Sequence, residues 1–384
     1  MEYRGTYLQV NLDAIANNAA MLRAFIGKDS KMMAVVKANA YGHGLIPVAR
    51  TALENGADWL GVAIPEEGEA LRNAGIDAPI LVLGGVNEKG AEASVAFDLT
   101  QTVFDAKRVY FLEQAAKKAG KTAHVHIKCD TGMGRIGVRT KEELEEVLAA
   151  VRSCPHVCIT GVFTHLADAD NEDPAYSLAQ IAAFEEFLPL LPSSILCHAA
   201  ASAAAIRYPQ ARYQMVRLGL ILYGCPPVKD CPPVQPALSW HTEIVHVKDI
   251  GPGDCISYGC TYRADRKRRV ATLPVGYGDG YHRALSGRGM VLIGGKKCPV
   301  IGRVCMDQIM VDVSDVSPEA AGIGAPAVLL GRQEDEMITA EELAAWAGTI
   351  SYEMLLAVTA RVPMIYTAQK AVQHPKGSYY AGND

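Results

Sequence analysis

Short apolar runs recur along the first 225 residues, and an amphipathic stretch follows most of them. The eight runs are residues 31–40, 58–64, 78–85, 99–105, 123–130, 158–168, 194–202 and 214–224. Helical periodicity fills several of the intervals, at residues 45–57, 65–75, 106–120, 141–153 and 177–188. Eight strand and helix units in about 200 residues predict an α/β fold, a (β/α)8 TIM-type barrel. A GxGxxG turn after the first run is absent, which disfavours a dinucleotide-binding sheet.

The pattern changes after the eighth run. Residues 225–236 contain five prolines, too many for a regular element, and are typical of a linker between domains. Beyond them the chain alternates short strands with glycine-rich turns, and one helix is predicted at 340–348. We therefore expect a barrel domain at 1–233, followed by a mainly β domain at 234–384 that also pairs with the first few residues.

Composition narrows the class of protein. Of 384 residues 49% are apolar, and 37 basic residues face 42 acidic ones, giving a net charge of -5 without a long run of one sign. A nucleic-acid surface is therefore not expected. No apolar stretch approaches the roughly 20 residues that span a bilayer, and the N-terminus resembles no signal peptide, so we expect a cytoplasmic protein without a membrane partner. The ten cysteines include no CxxC pair, so we expect thiols and no metal site.

Polar residues stand where the barrel strands should end, the usual place for reactive groups in this fold. They are Lys37, Arg135, His165, Ser202 and Arg217, the last followed by Gly219. A lysine at the mouth of an apolar strand is partly desolvated, which lowers its pKa and suits a Schiff base, although a lone lysine more often extends to water. The loops after the seventh and eighth strands often bind phosphate, so together these features suggest pyridoxal phosphate.

Several segments resemble the alanine racemases, a fold-type III pyridoxal-phosphate family, and they occur in the family's order. The matching segments are VVKANAYGHG, DTGMGRIGV, FTHLADAD, MVRLGLILYG, ISYG, VGYGDG, IGRVCMDQ and ISYE. The resemblance covers nearly the whole chain. It implies a racemase that interconverts L-alanine and D-alanine and supplies D-alanine for peptidoglycan synthesis, a part of cell wall biogenesis.

The resemblance also implies two bases. Lys37 would hold the cofactor through a Schiff base and act on the D-alanine side, while Tyr258 would act on the L-alanine side. Two bases on opposite faces are what a racemase needs, because the proton leaves one face and returns to the other. In the family this tyrosine enters the site of the other subunit, which implies a homodimer. Cys305, Met306 and Asp307 would enter with it, so Cys305 is not expected to be a nucleophile.

Two arginines receive roles by the same resemblance. Arg217 would face the pyridine nitrogen and leave it unprotonated, because a guanidinium keeps its proton. A hydrogen-bonded chain from Tyr258 through His165 to Arg217 would keep the histidine neutral. Arg135 would hold the cofactor's phenolic oxygen and the substrate carboxylate, supported by Lys128 on the same strand. Some family members carbamylate this lysine, and Arg135 needs an anionic partner.

The remaining implied positions surround the cofactor and the route to it. A phosphate cradle and ring contacts are implied for Tyr41, Leu83, Ser202, Gly219, Leu220 and Tyr352, and an access corridor for Asp170, Tyr277, Arg283 and Arg303. For Leu83 and Leu220, packing in the core is nearly as plausible from the sequence. The chain departs from the family at Ala201, because asparagine usually precedes the serine there. Hydrogen bonding around the phosphate and substrate preference are therefore open at this position.

Three alternatives are weighed against this interpretation. A serine or broad-specificity racemase of the same fold is the closest, although Tyr352 and the Cys305–Asp307 segment match the alanine pattern. An amino-acid decarboxylase of the same barrel family should lack Tyr258 and place a carboxylate at the pyridine nitrogen. A pyridoxal-phosphate carrier built on the barrel alone would leave the second domain unexplained.

Overall fold

The first domain is a barrel of eight parallel strands surrounded by helices. The computed structural model describes residues 4–368. After β1 (Tyr7–Asn11), the barrel strands are β2 (Lys31–Val35), β3 (Trp59–Val62), β4 (Ile80–Val82), β5 (Thr100–Val103), β6 (Ala123–Lys128), β7 (Val157–Phe163), β8 (Leu196–His198) and β9 (Met215–Leu218). Their order is β8-β7-β6-β5-β4-β3-β2-β9, all in parallel. Backbone hydrogen bonds from Gln214 to Cys197 and from Arg217 to Ala200 close the ring. The predicted fold class is confirmed.

Helices pack outside these strands. They are α1 (Leu12–Ile26), α2 (Lys37–Gly42), α3 (Leu45–Glu54), α4 (Pro65–Asn73), α5 (Glu88–Ala96), α6 (Ala106–Ala119), α7 (Lys141–Arg152), α8 (Ala175–Glu185) and α9 (Ser202–Arg207). Side chains that accept from the first turn begin several of them, among them Asp105 before α6 and Thr140 before α7. The periodicity did not predict α1, α2, α5 or α9. Helix α1 precedes the barrel strands but packs beside α3 and the 220–223 turn, where the eighth barrel helix belongs.

The second domain is built on a ten-stranded mixed sheet. Its elements are β10 (Leu238–Glu243), β11 (His246–Ile250), β12 (Cys255–Ile256), β13 (Tyr262–Arg263), β14 (Arg268–Leu273), β15 (Met290–Ile293), β16 (Lys296–Ile301), β17 (Ile309–Asp312), β18 (Pro326–Gln333), β19 (Glu336–Ile338), α10 (Ala340–Ala347), α11 (Ser351–Leu356) and β20 (Met364–Thr367). Strand β1 lies in this sheet, antiparallel to β10 and parallel to β20. Strands β12 and β13 form a separate hairpin. A second helix, α11, follows the predicted one.

The proline-rich segment connects the two domains without a regular element. The buried Asn18 of α1 fastens it, because its side chain donates to the carbonyls of Leu222 and Gln235 and accepts from the Gln235 amide at 2.8 Å. The division at residue 233 falls within this segment, and we keep that position as a proposal.

Two general features follow from the described residues. No helix within residues 4–368 is both long enough and apolar enough to cross a membrane. All ten cysteines lie in this part of the chain as free thiols, and four of the six in the linker and second domain are exposed or partly exposed. Burial raises the pKa of several, including Cys298 to about 11, so these thiols stay protonated at neutral pH.

Candidate active site

The carboxyl ends of the barrel strands bring most of the predicted site residues together. Lys37 follows β2, His165 follows β7, and Arg217 lies in β9 with its side chain among the ends of β7 and β8. Burial lowers the pKa of His165, and the nearby side chains of Arg217, Lys128, Arg135 and Lys37 lower it further. Because parallel strands share one carboxyl edge, residues far apart in the chain meet here.

The turn that carries Lys37 has an unusual backbone. From Ala38 to Tyr41 the φ angles are 52° or 53°, so this segment is one turn of left-handed helix built without glycine. Such a conformation costs roughly 1–2 kcal/mol per residue. The Glu67 carboxylate offsets part of it by accepting from the amides of Ala38 at 2.5 Å and Ala63 at 2.8 Å. The Asn39 side chain likewise accepts from the Leu45 amide at 2.8 Å.

Replacing Glu67 by alanine should therefore loosen the turn. We expect a loss of about 2 kcal/mol in the free energy of unfolding, because two hydrogen bonds to a carboxylate disappear and a strained turn loses its anchor. Urea unfolding measures the loss. Glu66, exposed in the same helix turn, is the matched control, and its alanine variant should stay within about 0.5 kcal/mol of wild type. Equal losses in both variants would contradict this role of Glu67.

The electrostatic surroundings of Lys37 favour its neutral amine. Burial lowers the pKa of Lys37 below the usual value of a lysine, and the positive charges of Arg135 and Arg217 lower it further, against an opposing effect of Glu67. A larger neutral fraction makes the amine available as a nucleophile and as a base. This is the behaviour that the strand-end position predicts.

A small cradle of hydroxyls and backbone amides lies beside the lysine turn. The ring of Tyr41 packs between Tyr223 and Tyr352, with centroids 4.8 and 5.9 Å away. Its hydroxyl lies so close to Gly219 that a Cβ there would approach it to 2.6 Å, so only glycine fits. The Gly219 amide donates to Ser202 Oγ at 3.1 Å. Tyrosine and serine hydroxyls beside a glycine amide are a suitable environment for a phosphate.

Arg217 is buried and held by several acceptors. Its NH2 group donates to the carbonyls of Thr164 and Ala199, both at 2.8 Å, and to His165 Nδ1 at 3.1 Å. Its NH1 group donates to His198 Nδ1 at 2.9 Å. The third nitrogen of Arg217, Nε, forms no hydrogen bond with any residue in the range 4–368. The terminal nitrogens therefore fix the plane of the group and leave the Nε hydrogen for the site.

These contacts determine the protonation of His165. A guanidinium only donates, so Nδ1 of His165 accepts and Nε2 carries the proton. Burial, with the charge of Arg217, lowers the pKa of His165 to about 2, so the ring is neutral and offers one N–H from Nε2. Burial lowers the pKa of Arg217 itself to about 9, which keeps the guanidinium charged at neutral pH.

Lys128 and Arg135 are placed differently from the sequence expectation. Lys128 is the last residue of β6, whereas Arg135 lies exposed in the following loop, so the prediction that they share a strand is wrong. Gly132, Gly134 and Gly137 of DTGMGRIGV all lie in that loop, after the strand has ended at Lys128. Lys128 is buried, donates to the Cys129 carbonyl at 2.7 Å, and has its pKa lowered to about 7 by burial and by Arg217.

Tyr258, Met306 and Asp307 lie on the surface of the second domain. Tyr258 follows the β12 strand in a tight turn and is 72% exposed, and Met306 is 53% exposed. Their loops are joined, because Ser257 Oγ donates to the Arg303 carbonyl at 2.7 Å and lies 3.4 Å from Cys305 Sγ. No hydrogen bond in the described part of the chain links Tyr258 to the barrel. The four predicted residues thus lie in two adjoining loops of the second domain, called here the projecting group: Tyr258, Cys305, Met306 and Asp307.

The remaining predicted residues divide between these two places. Tyr277 is held next to the projecting group, since its amide donates to the Cys305 carbonyl at 3.0 Å. Arg303 packs near Gly259, and Arg283 is exposed in the 283–285 turn. On the barrel side, burial raises the pKa of the half-exposed Tyr352, and the negative charge of the exposed Asp170 raises it further. Leu83 and Leu220 both pack against the barrel core, and Leu220 is only 5% exposed.

Sequence reasoning missed two residues that contact Arg217 or its partners, His198 and His126. A signal was available, because HVHIK and ILCHA place histidines within otherwise apolar strands. Both are fully buried and share a 2.9 Å hydrogen bond. Phe163 stacks on His198 with a 4.7 Å centroid distance and also lies 5.3 Å from the Arg217 guanidinium. Glu67 was missed as well, since its role depends on the turn geometry.

Comparison with known families accounts for both domains. Residues 10–227 match the family description "Alanine racemase, N-terminal domain", and residues 237–366 match "Alanine racemase, C-terminal domain". An alanine racemase of Symbiobacterium thermophilum is 47% identical over 377 residues, which cover 96% of this chain and 98% of that protein. The resemblance found in the sequence is thereby confirmed.

Solved structures give the same result. Alanine racemase from Bacillus anthracis with bound L-Ala-P superposes with a TM-score of 0.90 at 39% identity, covering 97% of this chain and 98% of the other. Alanine racemase from Bartonella henselae with covalently bound pyridoxal phosphate superposes with a TM-score of 0.87 at 26% identity, covering 95% and 100%. The match extends over barrel and second domain alike.

Proposed function

Because this chain belongs to the alanine racemase family, it is an isomerase that interconverts L-alanine and D-alanine, and we propose how its residues do so. The observation that carries the proposal is Lys37, a strand-end lysine with a lowered pKa among Arg135, Arg217 and His165. We further propose that the D-alanine supplies peptidoglycan synthesis. The cytoplasmic location predicted from the sequence stays a prediction.

Pyridoxal phosphate fits the residues of the barrel mouth. Lys37 offers the amine, the Tyr41, Ser202 and Gly219 cradle suits the phosphate, and Arg217 Nε can donate to a ring nitrogen. Tyr352 and Leu220 would complete the phosphate side, and Leu83 the ring side. When bound, this cofactor supplies an aldehyde that links to amino groups and an electron-withdrawing ring that acidifies the substrate Cα.

Two bases then move the proton. Lys37 Nζ takes or returns the proton on the D-alanine face, and Tyr258 of the partner subunit does so on the opposite face. His165 would donate its Nε2 hydrogen toward that phenol oxygen and so orient the hydroxyl for proton transfer. The sequence predicts a neutral His165, and the tautomer set by Arg217 makes that ring a donor to the tyrosine. A projecting, exposed Tyr258 supports a homodimer with shared sites, since large exposed aromatic groups mark interaction surfaces.

Arg135 and the projecting group would hold the substrate. The exposed Arg135 guanidinium suits a carboxylate, and the partner's Cys305, Met306 and Asp307 would narrow the space around the substrate side chain. Asp170, Tyr277, Arg283 and Arg303 would line the approach with charges of both signs, which suits a small zwitterion. A serine or broad-specificity racemase is not favoured, since the relatives named above are alanine racemases and match this chain over nearly its whole length.

Initial rates on two substrates test the assigned reaction. We expect L-alanine to be converted to D-alanine at least about tenfold faster than L-serine to D-serine in kcat/KM, because a closed pocket discriminates one added hydroxyl only moderately. Chiral chromatography of the products measures both rates. An Ala201→Asn variant is the informative comparison, since it restores the usual family residue. Serine turnover equal to that of alanine in the wild type would contradict the alanine assignment.

We expect a carbamate on Lys128, which would give Arg135 its anionic partner. Only a neutral amine adds to carbon dioxide, and burial lowers the pKa of Lys128 to about 7, so much of it is neutral at neutral pH. As the pH falls through that value the amine is protonated, and the modification should decline. In 13C-bicarbonate, the enzyme should show a carbamate resonance that Lys128→Ala lacks and Lys121→Ala retains. A resonance unchanged in Lys128→Ala would contradict the assignment.

A further inference from the structure

His126 occupies a place inside the barrel that the fold opens for it. It lies on β6, fully buried, and its pairing with β7 contains a register shift between Val125 and His126. Opposite it is Gly161, where a Cβ would lie 2.5 Å from His126 Nε2. Trp59 packs against the ring at 5.5 Å. A bulge and a glycine together make room for an imidazole where an aliphatic side chain would be the ordinary choice.

The hydrogen bonds of His126 continue those of Arg217. Since the guanidinium only donates, His198 Nδ1 accepts from it at 2.9 Å, and His198 Nε2 must carry the ring proton. That proton is donated to His126 Nδ1, also at 2.9 Å, which leaves the second proton of the pair on His126 Nε2. Burial lowers the pKa of His126 to about 3, so the ring is neutral. Each hydrogen bond of this chain is therefore donated in the same direction, from Arg217 to His198 and from His198 to His126.

The His198 ring is buried and held in one orientation. His198 has no access to water, and its ring plane is fixed by stacking on Phe163 with an interplanar angle of 3°. In this structure the buried hydrogen without a partner is the one on His126 Nε2, and without an acceptor at position 126 it would be the one on His198 Nε2. Moving that hydrogen to Nδ1 would bring it against the Arg217 NH1 donor. We expect the second outcome, which weakens the hold on one edge of the guanidinium.

We propose that His126 is a positioning residue for the racemisation reaction, which holds His198 in the tautomer that orients Arg217. The inference rests on the proposed function, in which Arg217 Nε faces the cofactor ring. His126 itself is too deep in the barrel to touch substrate, and it acts through His198 alone. The angle of the guanidinium, and with it the Nε donor, is the property that His126 controls.

Three variants separate this role from simple packing. His126→Phe keeps the ring volume and removes the acceptor, while His126→Asn retains an acceptor close to the Nδ1 position. Val125→Ala, at the neighbouring buried position of β6, is the matched control for lost packing. We expect His126→Phe to lower kcat for L-alanine about tenfold with KM changed less than about threefold, and His126→Asn to restore kcat to within about threefold of wild type.

A second measurement does not depend on activity. Nitrogen-15 spectra of histidine-labelled protein without cofactor should show His198 protonated at Nε2 in wild type and in His126→Asn, and a changed or mixed tautomer in His126→Phe. An unaltered His198 tautomer in His126→Phe would overturn the proposal, as would equal loss of kcat in His126→Phe and Val125→Ala. If the wild type fails to racemise alanine, the proposed function fails, but the tautomer measurement still decides the role of His126.

Discussion

An enzyme with alanine at position 37 is expected to fold normally, to lose covalent attachment of pyridoxal phosphate, and to lose racemisation by at least about 10⁴-fold. The Lys37 amine, whose pKa is lowered, both attaches the cofactor and serves as one of the two bases. Its removal therefore abolishes cofactor attachment and proton transfer on one face. The visible absorbance band of the loaded enzyme should vanish. Borohydride reduction followed by peptide mass mapping should label Lys37 in the wild type.

Two other lysines make this test specific. Lys31 begins the same strand but is exposed, so Lys31→Ala should leave the absorbance band and activity unchanged. Lys128 is the serious competitor, because it too is buried and has a lowered pKa. It lies at the end of β6 and donates to the Cys129 carbonyl, and the carbamate expected on it would leave no free amine for the cofactor. Labelling of Lys128 in place of Lys37 would show that the wrong lysine has been assigned.

The position of Lys37 was predictable because one rule governs it. Apolar runs at regular intervals predict parallel strands, and the carboxyl ends of those strands gather in one place. The same rule placed His165, Ser202 and Arg217, which lie in or after the runs that form β7, β8 and β9. Local pattern is sufficient here, because strand ends are set by the residues of the strand itself.

Features that depend on partners far along the chain were out of reach. The hydrogen bond between His126 and His198 joins residues 72 apart, and nothing local to either sequence requires it. The left-handed turn after Lys37 contains no glycine at its four strained positions, so it resembles an ordinary helix start. Helix α1 comes before the barrel strands in the sequence but occupies the position of the eighth barrel helix. This placement becomes visible only when the barrel is closed. Resemblance to a family, and not periodicity, indicated Tyr258.

Replacing Tyr258 by phenylalanine should lower racemisation about 10²–10⁴-fold, because the hydroxyl that carries the proton on the L-alanine face is lost. The two alanine enantiomers have equal free energies, so kcat/KM must fall equally in both directions. Rates alone therefore cannot say which face has lost its base. Tyr262→Phe, four residues along the same hairpin, is the control and should remain active.

Exchange with heavy water identifies the face. In Tyr258→Phe, Lys37 still serves one face, so D-alanine should gain deuterium at Cα with its configuration retained, whereas L-alanine should exchange very slowly. Proton and deuterium content is read by NMR, and configuration by chiral chromatography. Rapid exchange of L-alanine in this variant would assign its proton to some other group and would remove Tyr258 from the mechanism.

The same two variants test whether the sites are shared between subunits. A hybrid dimer of one Lys37→Ala chain and one Tyr258→Phe chain, isolated with two different affinity tags, has both defects in one site if each site combines Lys37 with the partner's Tyr258. Its other site then has both bases intact, and the hybrid should recover about half of the wild-type activity per dimer. If each chain used its own Tyr258, both sites of the hybrid would lack one base and remain inactive. Tyr258 is largely exposed and forms no hydrogen bond with the barrel within residues 4–368, which favours the shared arrangement.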